Sequence, residues 1–328
     1  MEQIIIFGAS NYGKKAYNFY KNECEILCFL DNDKNKWNKD FCGIKVIAPD
    51  MIKGELLDKK IIISSSWSRE ISEQLQNMGA VNVYIFSANE EKVWTGNIRM
   101  ELSKRVLSLG KFLGDEPLTF RTLSFTWGGS GVLDYALLRQ LAIKYKLKNY
   151  LEIGTYIGDS LKNLSDICQK CYSISVPEDH PAHMKYWCEK KGMQDYSGRL
   201  IDENNMISIQ CDSRLFNYRS IPDKIDLVFI DGDHSYEGVL SDTINIFDIV
   251  DLSDTFIVWH DCRKIGELNM EVLTGIKDGM NELFENFYVF DNNNCGIYIP
   301  DKYLTDFIEA KPYDFYTYEI QVRSKKYD

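Results

Sequence analysis

The sequence of 328 residues lacks any apolar run of about 18 residues, the length that a membrane-spanning helix needs. It also lacks the layout of a signal peptide, because its first residues lead directly into an apolar strand at Gln3–Phe7. We therefore expect no membrane span and a cytoplasmic location.

The sequence has fewer basic residues than acidic residues. Lys and Arg together number 38, whereas Asp and Glu number 49, which gives a net charge of −11 at pH 7. A surface of this sign repels nucleic-acid phosphates and anionic lipid head groups. The charge balance therefore argues against nucleic acid and anionic membranes as partners.

The sequence also lacks the cysteine patterns that are typical of a disulfide framework or a metal site. The nine cysteines are an odd number and are scattered, mostly within apolar runs, which is typical of reduced thiols. Cys168 and Cys171 form one CxxC, but no second pair or histidine cluster accompanies it. We expect these two side chains to serve packing rather than a metal or redox site.

The sequence does contain two blocks in which apolar strands alternate with helices, the pattern of a parallel, doubly wound sheet. The predicted strands of the first block are Ile4–Phe7, Glu25–Leu30, Lys60–Ser64 and Asn82–Phe86. Those of the second are Tyr150–Ile153, Cys171–Val176, Met206–Gln210, Ile225–Ile230, Thr255–Trp259, Phe287–Phe290 and Gly296–Ile299. Asp291–Asn294 separates the last two strands as a hairpin turn. The sequence thus predicts an α/β fold with two Rossmann-like units, the second closed by an antiparallel hairpin.

We expect three segments along the chain: a first domain at residues 1–88, a helical connector at 89–148 and a second domain at 149–328. The connector shows no clear strand, and its apolar spacing predicts helices over Glu90–Leu109 and Leu133–Lys146. Between them, Phe125–Gly131 is a glycine-rich turn beside aromatic residues. This turn either lines a ligand pocket or simply leads into the next helix.

The first strand of the second block runs into a glycine-spaced turn and then a helix that begins near Asp159. Gly154 and Gly158 are expected to let the backbone turn tightly and approach a ligand. This E-x-G-x-x-x-G turn resembles motif I of the class I S-adenosylmethionine (SAM) methyltransferases. The resemblance implies SAM as the cofactor, bound by Glu152, Gly154, Thr155 and Gly158.

Polar residues follow two further strands of this block. Asp231, Asp233 and His234 come after one, and His260 and Asp261 come after the next. Because ligands bind at the carboxyl ends of the strands in open α/β sheets, we expect these five side chains to converge near the sulfur of SAM.

The stretches DLVFIDGDHSYEGVLSD and IVWHDC resemble SAM-dependent O-methyltransferases that modify sugars and other small hydroxylated metabolites, over about Leu147–Pro300. The resemblance implies Mg²⁺ at Asp231 and Asp261, with Asp233 as the base. His260 stands where these relatives have an acid, and imidazole suits Zn or Fe better than Mg²⁺. A metal site at Asp231, His260 and Asp261 is therefore one hypothesis, and His260 or His234 as the base is the other.

The remaining cofactor contacts are expected at the ends of the second and third strands. Ser175 occupies the place, about 20 residues past the turn, where an acid usually binds the ribose, and Glu178 is the nearest acid. Asp212 resembles the residue that contacts the adenine amino group. Asp231 is expected to contact SAM as well.

In the first block, Gly8 to Gly13 lie between a strand and a helix, with Ser10 where a dinucleotide-binding turn has its second glycine. Asp31 ends the second strand. This block resembles small Rossmann-like domains attached to enzymes of sugar modification and polysaccharide biosynthesis. The resemblance implies a nucleotide-sugar or similar ligand, and a domain used only for packing or dimerisation is the alternative.

Together these features predict a SAM-dependent O-methyltransferase that acts on a hydroxyl of a sugar, nucleotide sugar or glycan precursor. The alternatives are a metal-dependent, non-methylating enzyme on the same fold and a SAM-binding accessory protein of glycan assembly. The aromatic C-terminal tail, which includes Tyr303, Phe307 and Phe315, is expected to pack against the core or against a second subunit of a homo-oligomer.

Overall fold

The computed structural model describes residues 2–65, 67–87, 92–95, 97–126, 128–180, 182–264, 267–311, 314–324 and 326. Its contacts divide the chain into two compact units. The first unit comprises Met1–Lys104, His234–Leu240 and Gly266–Gly279. The second unit comprises Arg105–Asp233, Ser241–Ile265 and Met280–Asp328. The predicted domain boundary at residue 88 lies outside the described residues.

The first sheet has seven strands in the order β3-β4-β2-β1-β5-β6-β7. Its strands are β1 (Glu2–Phe7), β2 (Cys24–Leu30), β3 (Asp40–Phe41), β4 (Ile44–Ile47), β5 (Lys60–Ile63), β6 (Val83–Ser87) and β7 (Lys92–Thr95). Three helices belong to the same stretch of chain: α1 (Asn11–Tyr20), α2 (Ser68–Asn77) and α3 (Asn97–Ser103). The central pairs are parallel, and β3 and β7 add antiparallel edges.

The central strand β1 is apolar throughout because both of its faces are covered. Ile4 and Ile6 lie in one buried cluster, whereas Ile5 and Phe7 lie in another. Successive side chains of a strand point to opposite faces, so a continuous apolar run is what a strand between two helix layers requires.

The remaining elements follow in chain order. The strands are β8 (Val106–Leu107), β9 (Asn149–Ile153), β10 (Lys170–Ser175), β11 (Met206–Gln210), β12 (Leu227–Ile230), β13 (Phe256–Trp259), β14 (Arg263–Lys264), β15 (Glu267–Leu268), β16 (Phe287–Phe290) and β17 (Gly296–Tyr298). The helices are α4 (Leu109–Leu113), α5 (Val132–Tyr145), α6 (Asp159–Leu164), α7 (Met184–Lys191), α8 (Tyr236–Ile249) and α9 (Met270–Met280).

The second sheet has eight strands in the order β11-β10-β9-β12-β13-β17-β16-β8. Strands β9 to β13 pair in parallel, and β17 is antiparallel to both β13 and β16. The predicted α/β fold with two largely parallel sheets and a closing antiparallel hairpin is therefore confirmed. In this sheet Ile153, Ile230 and Trp259 are neighbours in register, so the three strands end at the same level.

Two expectations for residues 89–148 are wrong. A helix over Glu90–Leu109 is not formed, because α3 ends at Ser103 and the chain then extends into β8. The segment also contains strands, since β7 lies in the first sheet and β8 pairs in parallel with β16. Strands of two and four residues carry too few positions to show a period of two.

Part of the C-terminal tail packs on the buried hydrophobic core of the second unit, as expected. The Phe307 ring stacks on Phe112 with centroids 4.6 Å apart, and Tyr303 contacts Tyr145 and Phe256. Phe315, by contrast, is 88% exposed. Cys168 and Cys171 are both buried in the same core, which confirms the packing prediction for the CxxC.

Within the part of the chain that the structure describes, none of the helices has the length and apolar character that crossing a membrane requires.

Candidate active site

The register of the second sheet brings three strand ends together. Ile153, Ile230 and Trp259 lie side by side, and the residues that follow them are Gly154, Asp231 and His260. Backbone hydrogen bonds continue past the strands, from Asp231 N to Ile153 O at 2.8 Å and from His260 N to Ile230 O at 2.9 Å. The predicted convergence at this edge is therefore found for Asp231 and His260.

Gly154 lies where two strand ends meet. Its φ is +87°, and a Cβ added there would lie 2.1 Å from the carbonyl oxygen of Asp231. The backbone after β12 thus occupies the space that a side chain would need, and contact of Gly154 with SAM stays a prediction. Gly154 allows two strand ends to lie against each other, and this contact holds Asp231 in place.

Glu152 is completely buried, with 0% of its surface exposed. Its Oε2 accepts hydrogen bonds from the hydroxyl groups of Tyr150, at 2.9 Å, and Ser160. Burial raises the pKa of Glu152 to about 8, although the hydroxyl donors oppose the shift. Its Oε1 is buried and has no hydrogen-bond partner among the described residues.

The turn after β9 leads into α6 through Gly158, whose φ of +97° makes it a left-handed N-cap. Its amide donates to Thr155 O at 3.0 Å, and the Thr155 hydroxyl contacts the hydroxyl of Ser173 on β10. Thr155 is 7% exposed. Thr155 and Gly158 therefore shape the turn, whereas contact with SAM stays a prediction for both.

The glycine-rich turn before α5 lies against this edge. Ser124 donates from its amide to Asp159 Oδ1 at 2.7 Å, and Ser130 Oγ donates to Asp231 Oδ2 at 2.9 Å. A Cβ at Gly128 would lie 3.5 Å from the ring of Tyr156. The turn thus contacts both the α6 side and Asp231, which favours the pocket-lining interpretation; Trp127 lies outside the described residues.

His260 is held between carboxylates. Its Nε2 lies 3.2 Å from Asp134 Oδ2, and its Nδ1 lies 3.1 Å from Asp231 Oδ1 and 3.5 Å from Asp261 Oδ1. Burial alone would lower the pKa of His260, but the charges of Asp231 and Asp134 and the hydrogen bonds to both hold that pKa well above its ordinary value.

Asp231, His260 and Asp261 form the geometry of a cation site. One ligand atom from each residue lies within 4.8 Å of the other two. Ligands about 2.1 Å from one ion lie roughly 3.0 to 3.4 Å apart, so the spacing around Nδ1 fits. Asp261 has a φ of +53°, an uncommon conformation for a residue other than glycine. Such strain is found at functional sites, and here it accompanies a turn that follows β13 directly.

Asp134 is the residue that the sequence did not reveal. It is 2% exposed and lies in the first turn of α5, where Oδ2 accepts from Gly131 N at 2.7 Å and Oδ1 from Asn294 N at 3.0 Å. A signal was present, because Asp134 is an acid on a helix whose other early residues are apolar. A first-turn acid has an ordinary role in capping, so nothing linked it to His260.

The other two candidates for the acid–base group, Asp233 and His234, lie at the surface. Asp233 is exposed, and its charge contributes to raising the pKa of Asp242 to about 7, mainly an effect of burial. His234 is exposed and is grouped by contacts with the first unit. Their roles in catalysis stay predictions.

The predicted nucleoside contacts lie at the ends of β10 and β11. Ser175 ends β10 and is partly buried, whereas Glu178 is exposed and forms an ion pair with Lys185 at 3.8 Å. Asp212 accepts from Arg214 Nη2 at 2.7 Å, and this hydrogen bond lowers the pKa of the Asp212 carboxyl group. Its carboxylate is thus engaged, and its contact with adenine stays a prediction.

A cavity of about 610 Å³ lies in the first unit. The residues that line it include Gly8, Ser10, Asp31, Lys36 and Trp67. Asp31 Oδ2 accepts from Ala9 N at 2.9 Å and from Lys36 Nζ at 2.8 Å, so this carboxylate ties the turn after β1 to the end of β2.

Comparison with known proteins adds two family matches. Residues 151–262 match a family described as a methyltransferase domain, and residues 1–86 match one described as C2185-like, N-terminal. No curated protein matches the chain.

Three solved structures are similar to about half of the chain. The chain is similar to the methyltransferase PaMTH1 of Podospora anserina bound to S-adenosylhomocysteine (SAH), at 18% identity over 52% of this chain and 77% of that one, with a TM-score of 0.35. It is similar to an O-methyltransferase from Bacillus cereus in complex with SAH, at 16% identity over 52% and 81%, with a TM-score of 0.36. It is also similar to the N-methyltransferase NodS from Bradyrhizobium japonicum WM9, at 17% identity over 50% and 91%, with a TM-score of 0.32.

The match at residues 151–262 covers β9 to β13 and every residue of the carboxylate and histidine group except Asp134. The chain therefore contains a methyltransferase domain. More particularly, this domain lies in the second unit except for residues 234–240, which the contacts group with the first unit.

Proposed function

We propose that this enzyme transfers the methyl group of SAM to a hydroxyl of a sugar, nucleotide sugar or glycan precursor, with a divalent cation at Asp231, His260 and Asp261. The observation that carries the proposal is the group of ligand atoms within 4.8 Å of one another, beside the turn after β9. Hydroxyl groups are weak nucleophiles, so a site that polarises one suits this acceptor.

The buried edge around Glu152 fits the amino acid part of SAM. When bound, SAM supplies an activated methyl group on a positively charged sulfur. Glu152 Oε1 is buried without a donor in the described part of the chain, and a buried carboxylate oxygen is costly unless it accepts a hydrogen bond. In this proposal an ammonium group satisfies it, while Thr155, Gly158 and Asp231 border the same ligand.

The donor set fits a divalent cation. Two carboxylates with one imidazole suit Mn²⁺, Fe²⁺ or Zn²⁺ at least as well as Mg²⁺. When bound, the cation would supply a Lewis acid that lowers the pKa of the acceptor hydroxyl. Asp231 and Asp261 then hold the acceptor side of the site through their oxygens.

Proton removal is proposed for Asp233 or His234. His260 faces carboxylates with both ring nitrogens, which favours a holding role for it. Asp233 and His234 are exposed and follow β12 within four residues of Ile230, so they are the candidates for the base. For the nucleoside, Ser175 is favoured over Glu178 at the ribose because Glu178 is exposed beside Lys185, and Asp212 is proposed at adenine.

The experiment is to incubate the protein with SAM, Mn²⁺ and a panel of nucleotide sugars and glycan precursors, and to identify products by mass spectrometry. We expect a methyl ether on one acceptor, which EDTA abolishes and Mn²⁺ restores. The variant Asp261→Asn should lose most turnover, whereas Asp226→Asn, at the amino end of β12, should keep it. Methylation of nitrogen or carbon, or full turnover in EDTA, would count against the proposal. Consumption of oxygen with Fe²⁺ and no methylated product would favour the non-methylating alternative.

For residues 1–88 we propose a domain that binds a nucleotide sugar or a similar ligand, with 89–148 as connector and 149–328 as methyltransferase domain. The cavity of about 610 Å³ favours this, because it has room for a nucleoside and presents the 66% exposed ring of Trp67 for stacking. Calorimetry of the full chain with UDP-sugars should show binding that Trp67→Ala weakens at least tenfold. Trp67→Ala should leave SAH affinity unchanged. Equal UDP-sugar affinity in the two proteins would contradict the assignment.

A further inference from the structure

We propose that Asp134 is a positioning residue of the metal site: it fixes the hydrogen on Nε2 of His260 and so directs Nδ1 toward Asp231 and Asp261. The inference rests on the metal part of the proposed function. It assigns a role to a residue of α5 that lies outside the matched methyltransferase domain.

Backbone amides fix the carboxylate of Asp134. Its Oδ2 accepts from the amide of Gly131, and its Oδ1 accepts from the amide of Asn294. Backbone amides can only donate, so both oxygens of Asp134 serve as acceptors. The two amides come from opposite ends of the second unit's sequence, and together they hold the 2% exposed carboxylate in one orientation.

The contact with Asp134 determines the tautomer of His260. An Nε2 that lies 3.2 Å from an oxygen that already accepts a backbone hydrogen bond must act as the donor. The Cys295 thiol also faces Asp134 Oδ1, at 3.5 Å, and it too can donate. Hydrogen-bond donors thus surround the carboxylate of Asp134, and Nε2–H of His260 is one of them.

The orientation of the His260 ring follows from the same contact and from its burial. The side chain of His260 is 9% exposed, and the ring of Phe229 lies edge-on to it with centroids 6.0 Å apart. With Nε2 committed to Asp134, the nitrogen that faces Asp231 and Asp261 is Nδ1. A carboxylate that receives the second ring nitrogen is the usual support of a metal-binding histidine, and losing it costs roughly 10-fold to 100-fold in metal affinity.

The test compares Asp134→Asn with a matched control. Asp226→Asn also changes a carboxylate that accepts two backbone amides, those of Lys148 at 2.9 Å and Asn149 at 3.0 Å, but at the opposite end of β12. Mn²⁺ affinity is measured by electron paramagnetic resonance of the free ion, and SAH affinity by calorimetry. We expect Asp134→Asn to weaken Mn²⁺ binding by about 10-fold to 100-fold while SAH affinity changes less than about threefold. Asp226→Asn should change neither.

A second readout does not need a metal. The chain has only four histidines, so two-dimensional ¹⁵N spectra of the imidazoles can be assigned with His260→Gln. We expect His260 to carry a slowly exchanging Nε2–H in the natural protein and to lose that protection in Asp134→Asn alone. Unchanged Mn²⁺ affinity together with an unchanged His260 signal would overturn the inference.

The two readouts also separate this inference from the proposed function. If the natural protein fails to bind Mn²⁺ at all, the metal part of the proposed function falls and the ¹⁵N spectrum alone decides. Loss of the protected Nε2–H in Asp134→Asn then supports the positioning role, and its persistence refutes it.

Discussion

At the scale of single residues, Gly154 links the sequence motif to the geometry of the site. The motif predicts a glycine there for contact with a ligand, and the structure adds a second reason, because the Asp231 carbonyl lies where a side chain would go. Sequence alone cannot reveal this reason, because the neighbour is 77 positions away along the chain and is brought near by strand pairing.

We expect Gly154→Ala to destabilise the second unit strongly. The substitution carries the cost of a left-handed backbone, about 1 kcal/mol, and adds a clash with backbone that cannot move freely. Gly192→Ala is the matched control, because Gly192 has a φ of +65° with nothing within 4 Å of its added Cβ. Urea unfolding should show a loss at least about 2 kcal/mol larger for Gly154→Ala. Equal losses in the two variants would mean that the contact with Asp231 is unimportant.

Glu152 should make the stability of the ligand-free protein depend on pH. The folded pKa is about 8 against an ordinary value of 4.5, so the folded state retains the proton more tightly than the unfolded state. This contribution is fully present below about pH 4.5 and is lost as the pH rises to about 8, at roughly 1.4 kcal/mol per pH unit within that window.

The variant Glu152→Gln should reduce this slope, since glutamine has no proton to lose. Urea unfolding at several pH values between about 5 and 8 measures it. Part of the slope should remain, because Asp242 is also buried and has its pKa raised to about 7. An identical pH dependence in Glu152→Gln and the natural protein would contradict the raised pKa.

At the scale of elements, the strands of the second sheet other than β8 could be predicted, because they are short, largely apolar runs bounded by polar or glycine residues. The register of β9, β12 and β13 then follows from parallel pairing, and it delivers Asp231 and His260 to one edge. Asp134 could not be predicted in the same way. It lies on α5, which precedes β9 in the chain, and only tertiary packing brings α5 to the end of β13.

The strand β8 and the C-terminal tail likewise depend on contacts between residues distant in sequence. Two residues of β8 pair with β16, and Leu107 also bridges to Glu309 in the tail, so the order of this edge rests on contacts distant in sequence. The aromatic composition of the tail predicted packing, but it could not distinguish Phe307 from Phe315.

Phe307→Ala should therefore destabilise the second unit, whereas Phe315→Ala should not. Phe307 is 8% exposed and stacks on Phe112, so its truncation leaves a cavity at a cost of about 3 kcal/mol. Phe315 is 88% exposed and serves as the control. Thermal unfolding of the two variants measures the difference. A comparable effect of both substitutions would show that the tail does not stabilise this edge.

At the scale of the whole molecule, the two units differ in which of the proposed functional residues they contain. Apart from His234, the residues proposed for SAM, metal and proton removal belong to the second unit, and its sheet is complete within residues 105–328. The first unit also includes α3 and most of α9, which are joined by ion pairs such as Lys277 with Glu101 at 2.6 Å.

We expect a chain that lacks residues 1–88 to retain SAH affinity within about threefold, because it keeps both α3 and the whole second sheet. Circular dichroism establishes that the shortened chain is folded, and calorimetry gives the SAH affinity. Removing residues 1–104 is the comparison. This deletion should cost more stability because it also removes α3, whose Arg99 and Glu101 form ion pairs with Glu267 and Lys277. A shortened chain that is folded but fails to bind SAH would show that the cofactor site needs the first domain.

The central claim is that SAM and a divalent cation bind side by side at the carboxyl edge of the second sheet. The most direct measurement is a crystal structure of the protein with SAH and Mn²⁺, with anomalous diffraction locating the metal. We predict an anomalous peak about 2.2 Å from His260 Nδ1 and from oxygens of Asp231 and Asp261, with SAH along the turn from Gly154 to Gly158. A peak at other ligands, or SAH in the cavity of the first unit, would contradict it.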